Sequence, residues 1–144
     1  MIPLVAGLLL VLALDQALKA LVVRGLAPAA LSLGPLGKLE ALRSRIWWAW
    51  PGPGLKLATL WRLWFVAAAS LTLVTFFLPS CGWFAGVLLG GSLSHALETS
   101  MRGCIIDYVR LRFWPAFNLA DVAITVGAVG MLVQAVIAAT EAGA

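Results

Sequence analysis

The chain has 144 residues, of which 62% are hydrophobic and 11% charged. Soluble domains carry roughly 25% charged residues, so this composition excludes an ordinary soluble globular protein. Its formal net charge is +4, which in so apolar a chain indicates contact with anionic lipid headgroups rather than with nucleic acid. Two cysteines without metal-ligand spacing and one histidine argue against a zinc site.

Four apolar runs predict four transmembrane helices. The first covers residues 2–23, and because no basic segment and no small-residue cleavage site accompany it, we expect a span rather than a removable signal peptide. From Leu63 to Leu97 no Asp, Glu, Lys or Arg occurs, a stretch longer than the roughly 20 residues that cross a bilayer. A Pro-Ser-Cys-Gly turn divides it into spans over 57–78 and 82–97. The last uncharged run predicts a span over 119–140.

Two connections, 24–56 and 98–118, complete a single transmembrane domain over residues 1–144. The first holds several prolines and glycines, so it predicts a small extramembrane segment that can include short β-strands. The second is a short polar connection. Of the ten Lys and Arg, all but Lys19 lie in or beside these connections, and the positive-inside rule would place both in the cytoplasm.

Ionisable residues within apolar runs are costly and need a physical reason. Asp15 and Lys19 stand at i and i+4, on one face of the first span, where they can pair. We expect a structural ion pair that orients this span against its neighbours. In the third span Gly86, Gly90 and Ser94 repeat every four residues, a pattern typical of close helix packing.

Asp107 and Asp121 are candidates for chemistry. Asp107 lies in the second connection and Asp121 just inside the fourth span, so a connection that folds back can bring both carboxylates to one membrane face. Two neighbouring carboxylates share a proton, and one then acts as a base toward water while the other acts as an acid. The alternative for Asp121 is a favourable interaction with the helix dipole.

The surrounding residues resemble the lipoprotein signal peptidases, the signal peptidase II family. The first span carries Asp-Gln-x-x-Lys, the third carries Gly-Gly followed by Ser where the family has Ala, and two further blocks match Gly-x-x-x-Asp and Phe-Asn-x-Ala-Asp. In this chain these blocks are Asp15–Lys19, Gly90–Ser92, Gly103–Asp107 and Phe117–Asp121. They stand in the family's order.

The resemblance implies an intramembrane aspartyl endopeptidase that removes signal peptides from diacylglyceryl-modified prolipoproteins. Asp107 and Asp121 would be catalytic and Asn118 would bind substrate, with no metal or organic cofactor. The expected partners are membrane lipids and lipid-modified precursors, and the expected form is a monomer, multi-pass in the bacterial cytoplasmic (inner) membrane. The resemblance also places the carboxylates on the outer face, against the charge rule.

The chain departs from the family at several positions. The family's asparagine, aspartate and arginine after the Gly-Gly block correspond to His95, Glu98 and Thr99. His95 is expected to hydrogen-bond a neighbouring span, and the alternative is a contact with substrate. Arg102 is a candidate replacement for the arginine, while the family's Asn-x-Gly-x-x-Phe motif is absent from residues 26–56.

These departures keep two other functions open. The first is a non-catalytic lipoprotein- or lipopeptide-binding member of the same fold. The second is a small proton-coupled transporter that uses Asp15 or the pair of Asp107 and Asp121.

Overall fold

The computed structural model describes residues 1–25, 30–44 and 57–143. Most of these residues form four helices, namely α1 (Ile2–Gly25), α2 (Leu57–Phe77), α3 (Gly82–Arg102) and α4 (Leu119–Ala142). A 3-10 turn at Pro79–Cys81 separates α2 from α3, at the predicted break. Residues 26–29 and 45–56 of the predicted first connection lie outside the described residues.

Helix α3 lies at the centre of the bundle, since it contacts α1, α2 and α4. Two adjacent glycines make this possible. A Cβ atom at Gly90 would lie 2.6 Å from the carbonyl oxygen of Leu8 on α1, and one at Gly91 would lie 2.6 Å from that of Ala120 on α4. Side chains of ordinary size would force both neighbours away, so the Gly-Gly pair sets the spacing of three helices.

A three-stranded antiparallel sheet stands outside the helices. It consists of β1 (Leu31–Ser32), β2 (Gly37–Ser44) and β3 (Ile105–Leu111), in the order β1-β2-β3. The register between β2 and β3 shifts between Leu39 and Leu42, and Leu42 then lies opposite Asp107. The sheet therefore joins the two connections and fixes the position of an aspartate.

Two features add to the sequence prediction. Helix α3 continues to Arg102, beyond residue 97 where the predicted span ends, and Glu98 and Arg102 in its last turns are paired. The second connection, predicted as a short polar link, contains β3. The fold is thus mostly helical with a small sheet, and the β-structure expected after α1 extends to the segment before α4.

Three helices, α1, α2 and α4, are long and apolar enough to cross a membrane. Helix α3 is as long as α2 but carries more polar residues, and it is not among these three in the described part of the chain. Many of its side chains are buried against the other helices. Because three of its helices can cross a membrane, the molecule has the character of a membrane protein.

Candidate active site

The first carboxylate is positioned by the end of α3. Gly103 has a φ of 65° and its N–H donates to the Thr99 carbonyl at 3.0 Å, which terminates the helix. This left-handed conformation strains residues with a side chain, so the glycine has a direct conformational role. The chain then enters β3, where Asp107 is buried, with 7% of the residue's surface exposed.

The second carboxylate belongs to the N-terminal cap of α4. Asn118 is the N-cap residue, and its Oδ1 accepts a hydrogen bond from the N–H of Asp121 at 3.1 Å. Asp121 Oδ2 accepts in return from the backbone N–H of Asn118 at 2.9 Å. This reciprocal arrangement is a capping box, which requires the spacing Asn-x-x-Asp.

Asn118 also holds the first carboxylate. Its Nδ2 donates to Asp107 Oδ1 at 2.7 Å and to the carbonyl of Ile106 at 3.3 Å. The residue is fully buried, and both amide hydrogens are engaged. One side chain therefore links the two aspartates, and a direct contact between Asn118 and substrate would require these bonds to break.

Asp107 lies in an environment that disfavours its charge. Burial raises the pKa of this carboxyl group above its ordinary value, and the negative charge of Asp121 raises it further. Hydrogen bonds from the Ser44 hydroxyl and from Asn118 act in the opposite direction. Ser44, on β2, donates to Asp107 Oδ2. In a pair of carboxyl groups, the one with the raised pKa is suited to hold the proton that the other lacks.

Asp121 is more accessible, with its side chain 41% exposed. Its Oδ1 lies 3.5 Å from Nε2 of His95 on α3. Beside it is a groove with a cavity volume of about 270 Å³, whose other lining residues are mostly apolar. The groove is lined by Trp114, Phe117, Asp121, Val122, Thr125 and Val126. The carboxylate of Asp121 thus lies beside a predominantly apolar surface.

A buried ionic cluster lies between α1 and α3. Lys19 Nζ lies 2.8 Å from Asp15 Oδ2 and 2.7 Å from Glu98 Oε2, and its side chain is fully buried. Arg102 contacts the other oxygen of Glu98 at 2.8 Å. Asp15 also accepts from the Ser94 hydroxyl at 2.5 Å. The buried carboxylates of Asp15 and Glu98 are balanced by the buried Lys19 and the partly exposed Arg102, which makes their burial tolerable.

This cluster also contacts the N-terminus of α4, the helix end that belongs to the site. Asp15 Oδ1 accepts from the backbone N–H of Ala120 at 3.1 Å, one of the first amides of α4, which lack partners within the helix. The charged pair of α1 therefore fixes the same helix end that carries Asp121.

The structure brings together four of the predicted site residues, Asp107, Asn118, Asp121 and His95. Arg102 is not among them. It lines a different cavity of about 530 Å³ together with Arg43, and none of its described lining residues is one of these four. A role of Arg102 toward substrate stays a prediction.

Sequence reasoning missed two residues. Ser44 lies 63 positions from Asp107, and only the strand pairing reveals it. Glu98 was visible as a change from the family's aspartate, but its contact with Lys19, 79 positions away, requires knowledge of how the helices pack.

Comparison with solved structures identifies the fold. A bacterial membrane enzyme solved by the in meso method at 1.9 Å resolution superposes with a TM-score of 0.75 over 90% of both chains, at 16% sequence identity. A second such enzyme, at 2.3 Å resolution, gives a TM-score of 0.75 over 96% of this chain and 90% of that one, at 14% identity. At these identities the likeness establishes the fold alone, which this chain shares with those two proteins.

The family follows from the sequence. The model of the signal peptidase (SPase) II family matches residues 7–137, and the chain belongs to this family. The lipoprotein signal peptidase of Moorella thermoacetica is 39% identical over 57 residues, 40% of this chain and 38% of that protein. Those of Xylella fastidiosa strain 9a5c and Dichelobacter nodosus are 33% and 34% identical over 49% and 51% of this chain. The chain spans 38 to 56% of the length of these three relatives.

Proposed function

We propose that this chain is an aspartyl endopeptidase that removes signal peptides from diacylglyceryl-modified prolipoproteins, cutting on the N-terminal side of the lipid-bearing cysteine. Asp107 and Asp121 are its catalytic residues. The observation that supports this most strongly is the position of Asn118, which holds a buried carboxylate with its amide and an accessible one with its backbone. Membership of the signal peptidase II family points to the same reaction.

The two carboxylates divide the chemistry according to their surroundings. Asp107, whose pKa is raised by burial, carries the shared proton, and the Ser44 hydroxyl can reverse its role and accept from it. Asp121, the more exposed of the two, acts as the base. Such a separation of environments is how two carboxyl groups take the roles of acid and base.

The reaction has two steps. First, Asp121 takes a proton from water while the water oxygen bonds to the scissile carbonyl carbon, and Asp107 gives its proton to the carbonyl oxygen. The product of this step is a gem-diol. Then the carbon–nitrogen bond breaks, the nitrogen takes the proton from Asp121, and a gem-diol hydroxyl returns a proton to Asp107. Both carboxyl groups are then restored.

The groove beside Asp121 supports a lipidated substrate. Trp114 is 67% exposed and Val126 is 50% exposed, so this surface offers large apolar side chains next to the base. Exposed apolar surface of this kind marks a place where lipid or a partner binds. We infer that the acyl chains of the precursor lie along α4 while its peptide approaches Asp121.

The proposed setting is the bacterial cytoplasmic membrane, with four spans and the protein as a monomer. Helix α3 would be the fourth span, because it is surrounded by α1, α2 and α4 and its charged residues pair internally. Polar residues within spans are tolerated when they face the bundle interior. The sheet and the two carboxylates would lie at the outer face.

A second candidate is a member that binds lipoproteins without cutting them. The observation that favours it is that Glu98 forms ion pairs with Lys19 and Arg102. The family has an aspartate and an arginine in this region. These groups are then not available to substrate.

A cleavage assay distinguishes the two candidates. The purified chain in lipid is mixed with a diacylglyceryl-modified precursor or with the same precursor unmodified. A peptidase of this type cuts the modified precursor at the lipidated cysteine and leaves the unmodified one intact. Binding of the modified precursor without a product would support the non-catalytic candidate instead.

A further inference from the structure

The cavity of about 530 Å³ that contains Arg43 and Arg102 lies on the face of the sheet opposite to the catalytic pair. Successive residues of a strand point to opposite faces, and residues opposite one another on paired strands share a face. Ser44 contacts Asp107 on one face. Arg43 lies opposite Ile106 in the register of β2 and β3, and both line the cavity on the other face. The cavity is therefore separate from the candidate active site.

The cavity lies where α1 and α3 end. Its lining includes Val23, in the last turn of α1, and Arg102, the last residue of α3. Helix α1 has 24 residues, which at 1.5 Å per residue is about 36 Å. The hydrocarbon core of a bilayer is roughly 30 Å thick. A span of this length places its ends, and with them the cavity, at the depth of the lipid headgroups.

Two guanidinium groups in the cavity can donate hydrogen bonds to a ligand. Arg43 is exposed and forms no ion pair within the described part of the chain. Arg102 donates through Nη1 to Glu98 at 2.8 Å, but a guanidinium group has five N–H donors, and the side chain is 42% exposed. The other lining residues are apolar or weakly polar, namely Val23, Ala41, Cys104 and Ile106.

The balance of charge at the cavity is positive. The buried ionic cluster around Lys19 is neutral as a whole, because its two carboxylates match its two cations. Arg43 therefore adds one positive charge. The C-terminal ends of α1 and α3 contribute roughly half a negative charge each, and Arg24 in the last turn of α1 offsets them. A ligand with a single negative charge, such as a phosphodiester, would neutralise the excess.

We propose that this cavity binds the phosphodiester headgroup of an anionic phospholipid, with Arg43 and Arg102 donating to the phosphate oxygens. The planar fork of a guanidinium group matches the geometry of phosphate. The volume lies within the roughly 300–1,000 Å³ typical of small-molecule sites, and the apolar lining fits the glycerol backbone and the upper acyl chains. The diacylglyceryl group of a modified precursor carries no phosphate, so the ligand is a lipid of the membrane itself.

Lipid retention measures this site directly and requires no cleavage. The purified parent is placed in micelles that contain equal amounts of phosphatidylglycerol and phosphatidylcholine with the same acyl chains. Native mass spectrometry then counts the lipids that stay bound. We expect phosphatidylglycerol to be retained in preference to phosphatidylcholine, because choline would bring a further cation beside two guanidinium groups. Diacylglycerol, which lacks the phosphate, should not compete.

Charge and shape are tested by separate variants. Arg43→Gln removes the excess charge, and retention of phosphatidylglycerol should fall about 10- to 100-fold, as expected for a lost hydrogen bond between charged groups. Ala41→Leu keeps both arginines but fills the cavity, and it should lower retention as well. The matched control is Arg62→Gln. Arg62 is exposed near the start of α2, at the membrane face where α1 ends, and it is not among the described lining residues.

The unfolding temperature gives a second readout. Because a ligand stabilises the state that binds it, phosphatidylglycerol should raise this temperature for the parent and for Arg62→Gln, but much less for Arg43→Gln. If Arg43→Gln does not fold, Ala41→Leu decides the outcome.

Four results would overturn the proposal. The parent could retain the two phospholipids equally, or Arg43→Gln and Ala41→Leu could retain phosphatidylglycerol as the parent does. An equal loss in Arg62→Gln would show only a general attraction between a basic surface and anionic lipid. Stabilisation by inorganic phosphate without any effect of phosphatidylglycerol would exclude a lipid as the ligand.

Discussion

Asn118 Nδ2 donates to Asp107 Oδ1 at 2.7 Å across 11 positions of sequence. The same residue caps α4 and exchanges hydrogen bonds with Asp121. A helix cap and a carboxylate pair are therefore built from one side chain, which makes their separate contributions measurable.

Asn118→Ser and Asn118→Ala separate these contributions. Serine keeps an oxygen that can cap the helix, whereas alanine loses it at a cost of about 0.5–2 kcal/mol. Neither replaces the amide that holds Asp107. We expect both variants to lose roughly 10²-fold or more in kcat/KM through misplacement, but only Asn118→Ala to lose the capping stability. Unfolding in detergent and a cleavage assay measure the two effects, and an active Asn118→Ser variant would refute the positioning of Asp107.

The cluster around Lys19 predicts a large effect on stability. Lys19→Met leaves the buried carboxylates of Asp15 and Glu98 without their shared cation, and breaking a buried pair costs about 3–5 kcal/mol. The double variant that adds Asp15→Asn removes the uncompensated charge, because Glu98 keeps Arg102 as its partner, and should recover most of the loss. Both are measured by the free energy of unfolding. A Lys19→Met variant as stable as the parent would show that the cluster does not stabilise the bundle.

The raised pKa of Asp107 predicts how stability depends on pH. The native state holds this proton more tightly than the unfolded chain does, whose aspartates titrate near about 3.9. The contribution of Asp107 is therefore fully present below that value, and is lost as pH rises through the raised pKa. Asp107→Asn should flatten this decline in the free energy of unfolding above about pH 4. Parallel curves for the two proteins would contradict the assignment.

The orientation of the sheet is tested by labelling in intact cells. Ser32 lies exposed in β1 and Ser80 lies exposed in the turn between α2 and α3. We expect Ser32→Cys to react with an impermeant thiol reagent before lysis, and Ser80→Cys only after it. The parent, which retains Cys81 and Cys104, gives the background. The reverse pattern would show that the basic residues follow the positive-inside rule and that the sheet faces the cytoplasm.

The sequence predicts the break between α2 and α3 at Pro79, because proline and glycine end helices. The end of α3 at Gly103 and the capping box of α4 were not predicted, although both depend on short local patterns. The partners of Asp15 could not be predicted in the same way, because Ala120 is 105 positions away. Such contacts depend on the order in which the helices pack, which a single sequence does not encode in any short pattern.

The most direct test of the central claim is cleavage of a diacylglyceryl-modified precursor by the parent and by Asp121→Asn. This change keeps the size and hydrogen-bonding capacity of the side chain but removes the base, so the rate should fall by at least about 10²- to 10⁴-fold while precursor binding persists. Glu141→Gln should cleave as the parent does. Equal cleavage by the parent and Asp121→Asn would contradict the account, as would a parent that binds the precursor and never cuts it.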